Sequence, residues 1–310
     1  QISSPKLFLP ATIFFRGKLP RGSKRGDPSS KGVDRLPEGA AVMFRNQYDT
    51  DITTYSPQGR LHQVEYAMEA VKQGSAVVGL RSDSHVVLAT LKRATSELSD
   101  NQKKLFQVDD HCGIAIAGLT ADARVLSRFM RNECLSHKYT MDTAMPINRL
   151  VLSVADKSQI CTQRATKRPY GVGLLVAGYD SAGPHLFQTC PSGNYYEYFA
   201  MAIGARSQSA KTYLERSYEA FPHCTLDELC KHAILALRET VSSTKDTELT
   251  SKNTALAFVG KGQDFAIVEG DGISKYLDMA LEEAPPASTD PAENGPQTGE
   301  EPPPAPMEQT

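Results

Sequence analysis

The sequence predicts an α+β fold in which two mostly antiparallel β-sheets pack face to face and pairs of helices cover their outer surfaces. Two observations carry this prediction. Short β-branched segments occur in consecutive pairs, and between those pairs the apolar spacing changes to a helical period over two successive segments. A parallel sheet built from βαβ units would instead alternate single strands with single helices. The pattern therefore predicts four layers, in the order helix, sheet, sheet, helix.

The first half of the predicted domain opens with a turn signal at Pro57 to Gly59, after which apolar residues recur at helical spacing. Thr120 is placed to cap a later helix at its N-terminus, and Pro146 opens the next one. The predicted segments are, in order, a helix at 60–73, hairpins at 75–81 with 85–91 and at 105–108 with 112–117, and helices at 121–137 and from 146 onward.

The second half repeats this arrangement of strand pairs and helix pairs. Thr225 and Glu228 form a T-x-x-E capping box at the start of one of its helices. The predicted segments are strands at 171–179, 185–189 and 195–202, helices at 207–220 and 226–241, a hairpin at 255–259 with 265–268, and a short helix at 273–283.

The two ends of the chain differ in composition from the middle, which predicts one folded domain over 43–283. Residues 1–42 hold eight Lys or Arg against three acids, and residues 284–310 hold five acids, no base and eight of the 19 prolines. Both ends bury too little apolar surface to offset the entropy of ordering, so both are predicted to be disordered. For 1–42 two interpretations stay open: a native, transit-peptide-like extension, or sequence upstream of a natural start at Met43.

Charge and cysteine content exclude several classes of function. The middle of the chain carries 26 basic and 28 acidic residues, which argues against a nucleic-acid-binding footprint. No run of 18 apolar residues occurs, so no membrane span is expected and the protein is predicted to be soluble. The six cysteines form no C-x-x-C pair, which leaves a zinc site without ligands and favours reduced thiols in a cytosolic or nuclear protein.

One dipeptide allows a mechanistic interpretation. Gly74-Ser75 lies directly before a predicted core strand, where an N-terminal nucleophile hydrolase would cut itself to expose a hydroxyl. The new α-amine would then act as the base. The alternative is an uncut turn between helix and strand, and the residues alone leave both interpretations open.

Several longer motifs resemble those of one family. The run 54–67, T-Y-S-P-Q-G-R-L-H-Q-V-E-Y-A, resembles the signature that opens α-type subunits of the 20S proteasome. Segments 118–124, 168–175 and 177–180 match further motifs of that family, and the resemblance covers 43–283. It implies the four-layer αββα sandwich of the N-terminal nucleophile hydrolases, which agrees with the predicted order of elements.

The resemblance also implies that the chain hydrolyses nothing alone and needs no cofactor and no metal. Catalytic β-type subunits of the same particle use an N-terminal threonine, an aspartate and a lysine. Laid on this chain, those positions fall at Ser75, Leu91 and about Lys104. Leucine cannot orient an amine, and the hydroxyl is internal, so only the lysine is retained.

The partners implied by the resemblance are other α subunits in a seven-membered ring, β subunits in the adjacent ring, and regulatory-particle ATPases or other activators. The implied role is in ubiquitin-dependent protein degradation, in the cytoplasm and nucleus. The α-subunit N-termini cover the axial entrance, and the resemblance assigns the path of that segment to Tyr48, Asp49, Pro57 and Tyr66. Thr50 stands where the family usually has Arg, so an inter-subunit ion pair through this position is not expected.

A second site implied by the resemblance is a pocket between adjacent α subunits that receives the C-terminal tails of activators. Its lysine, which would pair with the terminal carboxylate, is predicted to be Lys104, together with Gly59 and Glu65. Lys103 is adjacent, and the register between the two lysines stays open. A solvated Lys-Lys pair without a binding role is the alternative.

Overall fold

The computed structural model of the protein describes residues 48–93, 98–241 and 249–282. The two predicted disordered ends, 1–42 and 284–310, lie outside the described residues. The statements that follow concern the described part of the chain.

The described strands form two five-stranded sheets in which neighbouring strands run antiparallel. The first sheet has the spatial order β10 (Gln263–Val268), β9 (Thr254–Gly260), β2 (His85–Leu91), β1 (Val77–Arg81) and β8 (Ala200–Ile203). The second has the order β3 (Leu105–Asp109), β4 (Cys112–Gly118), β5 (Val172–Asp180), β6 (Gly183–Thr189) and β7 (Tyr195–Glu197). The prediction of two antiparallel sheets is confirmed.

Helices cover the outer face of each sheet, which confirms the four layers. The helices are α1 (His62–Gln73), α2 (Thr120–Met141), α3 (Ile147–Gln163), α4 (Ser207–Ser217), α5 (Leu226–Arg238) and α6 (Ser274–Glu282). Apolar residues of α4, α5 and α6 pack on the first sheet, and those of α2 and α3 pack on the second. None of these helices in the described part of the chain is both long and apolar enough to cross a membrane.

The central core lies between the two sheets. Val77, Leu88, Leu175 and Leu186 are fully buried there and belong to one contact cluster. Each such side chain contributes about 1.5 to 3 kcal/mol when it leaves water. Gly79 lies in this interface, and a Cβ on it would come 2.9 Å from a methyl carbon of Leu186, so a larger residue there would require the leucine side chains to shift.

The predicted strand at 195–202 is wrong as a single element, because the chain changes sheets within it. Strand β7 pairs with β6 in the second sheet, and β8 pairs with β1 in the first. Residues 198 and 199 make the crossing. Local periodicity cannot detect this break, since only the identity of the pairing partner separates the two strands.

The two helix-start predictions have different outcomes. Helix α2 begins at Thr120 itself, and its N-cap is Leu119, which offers no side-chain acceptor, so the assignment of Thr120 as N-cap is wrong. The capping box of α5 is confirmed: the Thr225 N–H donates to Glu228 Oε2 at 2.8 Å, and the Thr225 side chain caps the helix in return.

Candidate functional site

The link between α1 and β1 holds Ser75 inside a continuous, tightly packed backbone. The Gly74 carbonyl accepts a hydrogen bond from the Ala205 N–H at 2.7 Å. A Cβ on Gly74 would lie 2.3 Å from the Gly118 nitrogen, so this approach of two backbones requires glycine. The peptide bond between Gly74 and Ser75 is therefore enclosed by the end of β4 and the turn after β8.

Lys104 reaches this link from the residue before β3. Its carbonyl accepts from the Ile116 N–H at 3.1 Å, which fixes the backbone next to the sheet. The Lys104 Nζ donates to the Ser75 carbonyl oxygen at 2.6 Å and also contacts Ser75 Oγ. Lys104 is only 6% exposed, whereas Lys103 is exposed. Of the two adjacent lysines, Lys104 is the one that is buried and contacts Ser75.

The surroundings of Lys104 disfavour its charged form. Burial, and then the positive charge of Arg93, lower the pKa of the Lys104 ammonium to about 7. No carboxylate in the described ranges lies within the 4.0 Å of Nζ that defines an ion pair. The neutral amine of Lys104 is therefore more accessible than that of a lysine in water.

Leu91 ends β2 beside this link and is buried. Its N–H donates to the Ala76 carbonyl at 3.1 Å, which places it next to the residue that follows Ser75. A leucine side chain there has no acceptor for an amine and no charge to stabilise one. The arrangement retains a hydroxyl and a lysine and lacks the acid.

A second cluster of predicted residues joins the N-terminal segment to α1. The Tyr66 hydroxyl donates to Asp49 Oδ2 at 3.1 Å, and the Gln63 side-chain amide donates to the Asp49 backbone carbonyl. Gln63 and Tyr66 lie three residues apart and so share one face of α1. Gln63 was not singled out as a site residue from the sequence, because a contact across 14 positions leaves no local signal. Tyr48 is half-buried and Thr50 is exposed.

The turn before α1 explains Pro57 and Gly59. The Gly59 N–H donates to the Ser56 carbonyl at 2.8 Å, which closes a β-turn with Pro57 at its second position. Proline presets the backbone angle needed at that position. Gly59 has a φ of +74°, which glycine adopts without strain. These two residues define the turn that leads into α1.

Gly59 and Glu65 do not join Lys104 within one chain. The Glu65 carboxylate lies 3.6 Å from Arg60 Nε and 3.5 Å from His62 Nδ1. Nine residues separate Glu65 from Gly74 along the chain, which corresponds to about 13 Å at the helical rise. The helical rise of α1 therefore separates Glu65 from the contact between Ser75 and Lys104.

The fold and this site together define a class of protein. The chain is a four-layer αββα sandwich of the N-terminal nucleophile hydrolase type in which Ser75, between α1 and β1, lies beside Lys104 and near Leu91. The part of the chain that the structure describes contains no group of three or more His, Cys, Asp or Glu residues able to hold a metal ion.

Comparison with known proteins gives the family. The proteasome subunit family model matches residues 71–259, and the model of the N-terminal signature of A-type proteasome subunits matches residues 48–70. The chain belongs to the proteasome subunit family and carries the α-type N-terminal signature. As a member of this family it assembles with other proteasome subunits into a protease complex.

Three curated relatives extend this result over most of the chain. The proteasome alpha type-1 subunit of Dictyostelium discoideum is 58% identical over 243 residues, which are 78% of this chain and 98% of that protein. The probable proteasome alpha type-6 subunit of Schizosaccharomyces pombe is 52% identical over 79% of this chain and 90% of that protein. The proteasome alpha type-1 subunit of Drosophila melanogaster is 51% identical over 77% and 86%, respectively.

Proposed function

We propose that this chain is a non-catalytic structural subunit of the α ring of the 20S core particle. It would contribute to the axial gate and to the docking of regulatory particles in ubiquitin-dependent protein degradation. The single observation that carries the non-catalytic assignment is Leu91 at the acid position beside Ser75. A hydroxyl residue without an acid neighbour and without a free α-amine lacks both parts of its activating machinery.

The gate role rests on the contacts between the N-terminal segment and α1. Asp49 accepts hydrogen bonds from Tyr66 and Gln63, and Pro57 sets the direction of the turn that follows. We propose that these contacts hold the preceding residues on one path toward the entrance of the ring. Tyr48 adjoins Asp49 and would add an inter-subunit contact. Thr50 cannot supply the ion pair that an arginine would give at its position.

The docking role rests on Lys104. A terminal carboxylate that reached its ammonium would form a charge-assisted hydrogen bond, which contributes about 1.5 to 3 kcal/mol. Gly59 and Glu65, which lie near the start of α1, would complete the pocket from a neighbouring subunit. The proposed partners are regulatory-particle ATPases or other activators, and the proposed locations are the cytoplasm and the nucleus.

One observation favours a second candidate function, an autoprocessed serine hydrolase with Ser75 as nucleophile. The Lys104 Nζ contacts Ser75 Oγ, as a lysine that activates a nucleophile would. This candidate requires cleavage of the peptide bond between Gly74 and Ser75. The Gly74 carbonyl of that bond accepts a hydrogen bond from the Ala205 N–H, and the backbone of Gly118 leaves room only for glycine at position 74.

Native size separation coupled to a peptidase assay tests the proposal. A ring subunit is expected in a particle of several hundred kilodaltons that hydrolyses peptides through its other subunits. The control is the same separation after dissociation of the particle, in which fractions that contain only this chain should be inactive. Recovery of the chain as a stable monomer, active or inactive, would contradict the proposal.

A further inference from the structure

A groove of about 440 Å³ lies between helix α4 and residues 197–201, where the chain crosses from β7 to β8. Lys211, Leu214 and Tyr218 line it from α4, and their spacing places them on one face of that helix. Phe199 and Met201 line the opposite side. Phe199 is 60% exposed and Tyr218 is 54% exposed, so two aromatic rings border an open groove. Apolar groups that gather in this way on a surface mark a place where another chain segment binds.

The aromatic side of the groove is held in place by the fold itself. The Arg81 guanidinium lies over the Phe199 ring, 4.7 Å from its centroid. Arg81 also contacts the Glu197 carboxylate, and one oxygen of that carboxylate lies 2.8 Å from His185 Nδ1. A ring that is already fixed loses little entropy when a ligand packs on it. Phe199 is therefore exposed and pre-organised at the same time.

The lining of the groove suits a proline-rich segment in the polyproline II conformation. Such segments dock between aromatic side chains, because the prolines present apolar surface and give up little conformational freedom on binding. The chain contains a run of this kind, P-P-P-A-P at 302–306. Glu300 and Glu301 precede the run, and Glu308 follows it. The ligand that fits the groove is thus present in the same chain.

The charges around the groove leave a cation for this segment. Of the two lining glutamates, Glu197 already contacts Arg81, and Glu215 is exposed. Among the described residues, no carboxylate lies within 4.0 Å of the Lys211 Nζ. Residues 284–310 carry five acids and no base. A glutamate beside the proline run can therefore pair with Lys211 while the prolines occupy the aromatic part of the groove.

Residues 300–308 can reach the groove from the end of α6. Helices α4, α5 and α6 lie in one layer on the first sheet, and α5 contacts both of the others. Neighbouring helix axes are about 8 to 10 Å apart, so α4 lies roughly 20 Å from α6. The 20 residues from Glu282 to Pro302 can span up to about 65 Å. A tethered segment has an effective concentration of about 1 mM, so even a weak contact is populated.

We infer that this groove binds residues 300–308 of the same chain. The proline run packs between Phe199 and Tyr218, and Glu300 or Glu301 pairs with the Lys211 ammonium. The contact covers the exposed aromatic rings and ties the acidic segment to the outer helical layer of its own subunit. It forms no covalent bond and does not depend on the functions proposed above.

Carbodiimide crosslinking of the assembled core particle tests this contact, because the reagent joins a carboxylate directly to a lysine amine. Residues 284–310 contain no lysine, so a crosslink between them and a lysine reports only their own carboxylates. Mass spectrometry should find Glu300 or Glu301 joined to Lys211. Lys167, exposed after α3 in the other helical layer, is the control and should be joined to this segment far less.

Variants of the segment and of the groove separate proline recognition from attraction by charge. Replacing the four prolines of 302–306 with serine keeps every acid and should lower the yield of the Lys211 crosslink roughly tenfold. Phe199→Ala should lower it to a similar extent. Tyr139→Ala removes a 92% exposed ring of α2 and should leave the yield unchanged.

Three results would overturn the inference. A Lys211 crosslink that survives the proline replacement would mean that charge alone brings the segment to α4. Equal crosslinking of the segment to Lys211 and Lys167 would mean that it has no preferred site. A Lys211 crosslink to a different subunit, in place of residues 284–310, would mean that a neighbouring chain fills the groove.

Discussion

The Tyr66→Phe substitution tests whether the Asp49 contact holds the gate segment in place. It removes the hydroxyl that donates to Asp49 Oδ2 at 3.1 Å and leaves the ring in position. Tyr66 is 37% exposed, so the bond competes with water and contributes about 0.5 to 1 kcal/mol, the lower part of the usual range. If this hydrogen bond forms only when the gate is closed, its loss raises the fraction of particles with an open gate about two- to fivefold.

The assay is hydrolysis of a short fluorogenic peptide by the latent core particle without activator, since passage through the gate limits that rate. Tyr66→Phe should raise the basal rate by about two- to fivefold and leave the fully activated rate unchanged. Tyr55→Phe is the matched control, because Tyr55 is 65% exposed in the same segment and should have no effect. A basal rate equal to that of wild type, in a particle shown to contain the variant subunit, would refute the gate argument.

Three further predictions concern the framework that carries these sites. Asp122→Ala should lower the free energy of unfolding by about 1 to 3 kcal/mol, because it leaves the Gly171 N–H, bonded at 2.9 Å, without an acceptor. Hydrogen bonds from Arg168 lower the pKa of the Asp122 carboxyl, so the difference in unfolding free energy should be full at pH 7 and should shrink as the pH falls below about 4 and through the lowered pKa; a pH-independent difference in denaturant titrations would argue against this. Gly74→Ala should destabilise the chain by about 1 to 3 kcal/mol through its clash with the Gly118 nitrogen, and an unchanged melting temperature would contradict this. Thr225→Ala should cost about 1 kcal/mol by removing the α5 cap, whereas Thr212→Ala, inside α4, should cost less in the same thermal melts.

Features encoded by neighbouring residues could be predicted from the sequence. The Ser82 to Ser84 turn closes the first hairpin, where the Ser82 N–H donates to the His85 carbonyl at 2.8 Å. The capping box joins residues three apart. In both cases the residues that form the sequence motif are the same residues that make the hydrogen bonds, so the interaction can be predicted from a short stretch of sequence.

Features that depend on distant partners could not be predicted in this way. The break between β7 and β8 is set by which strand each one pairs with, and those partners lie in different sheets. The sequence also leaves open which of Lys103 and Lys104 belongs to the site. Lys104 and Leu105 are both buried, so buried and exposed residues do not alternate here as they do along a half-buried strand. What distinguishes the two lysines is the contact of Lys104 with Ser75, 29 residues away, which no local pattern reveals.

The central claim is that Ser75 stays inside an uncut chain and does not act as a nucleophile. Intact-mass measurement of this subunit, taken from active particles treated with a hydroxyl-directed covalent inhibitor, tests it most directly. We expect a chain that is continuous through Gly74 and Ser75 and carries no inhibitor, while catalytic subunits in the same sample are modified. A species that begins at Ser75 and carries the inhibitor would contradict the claim.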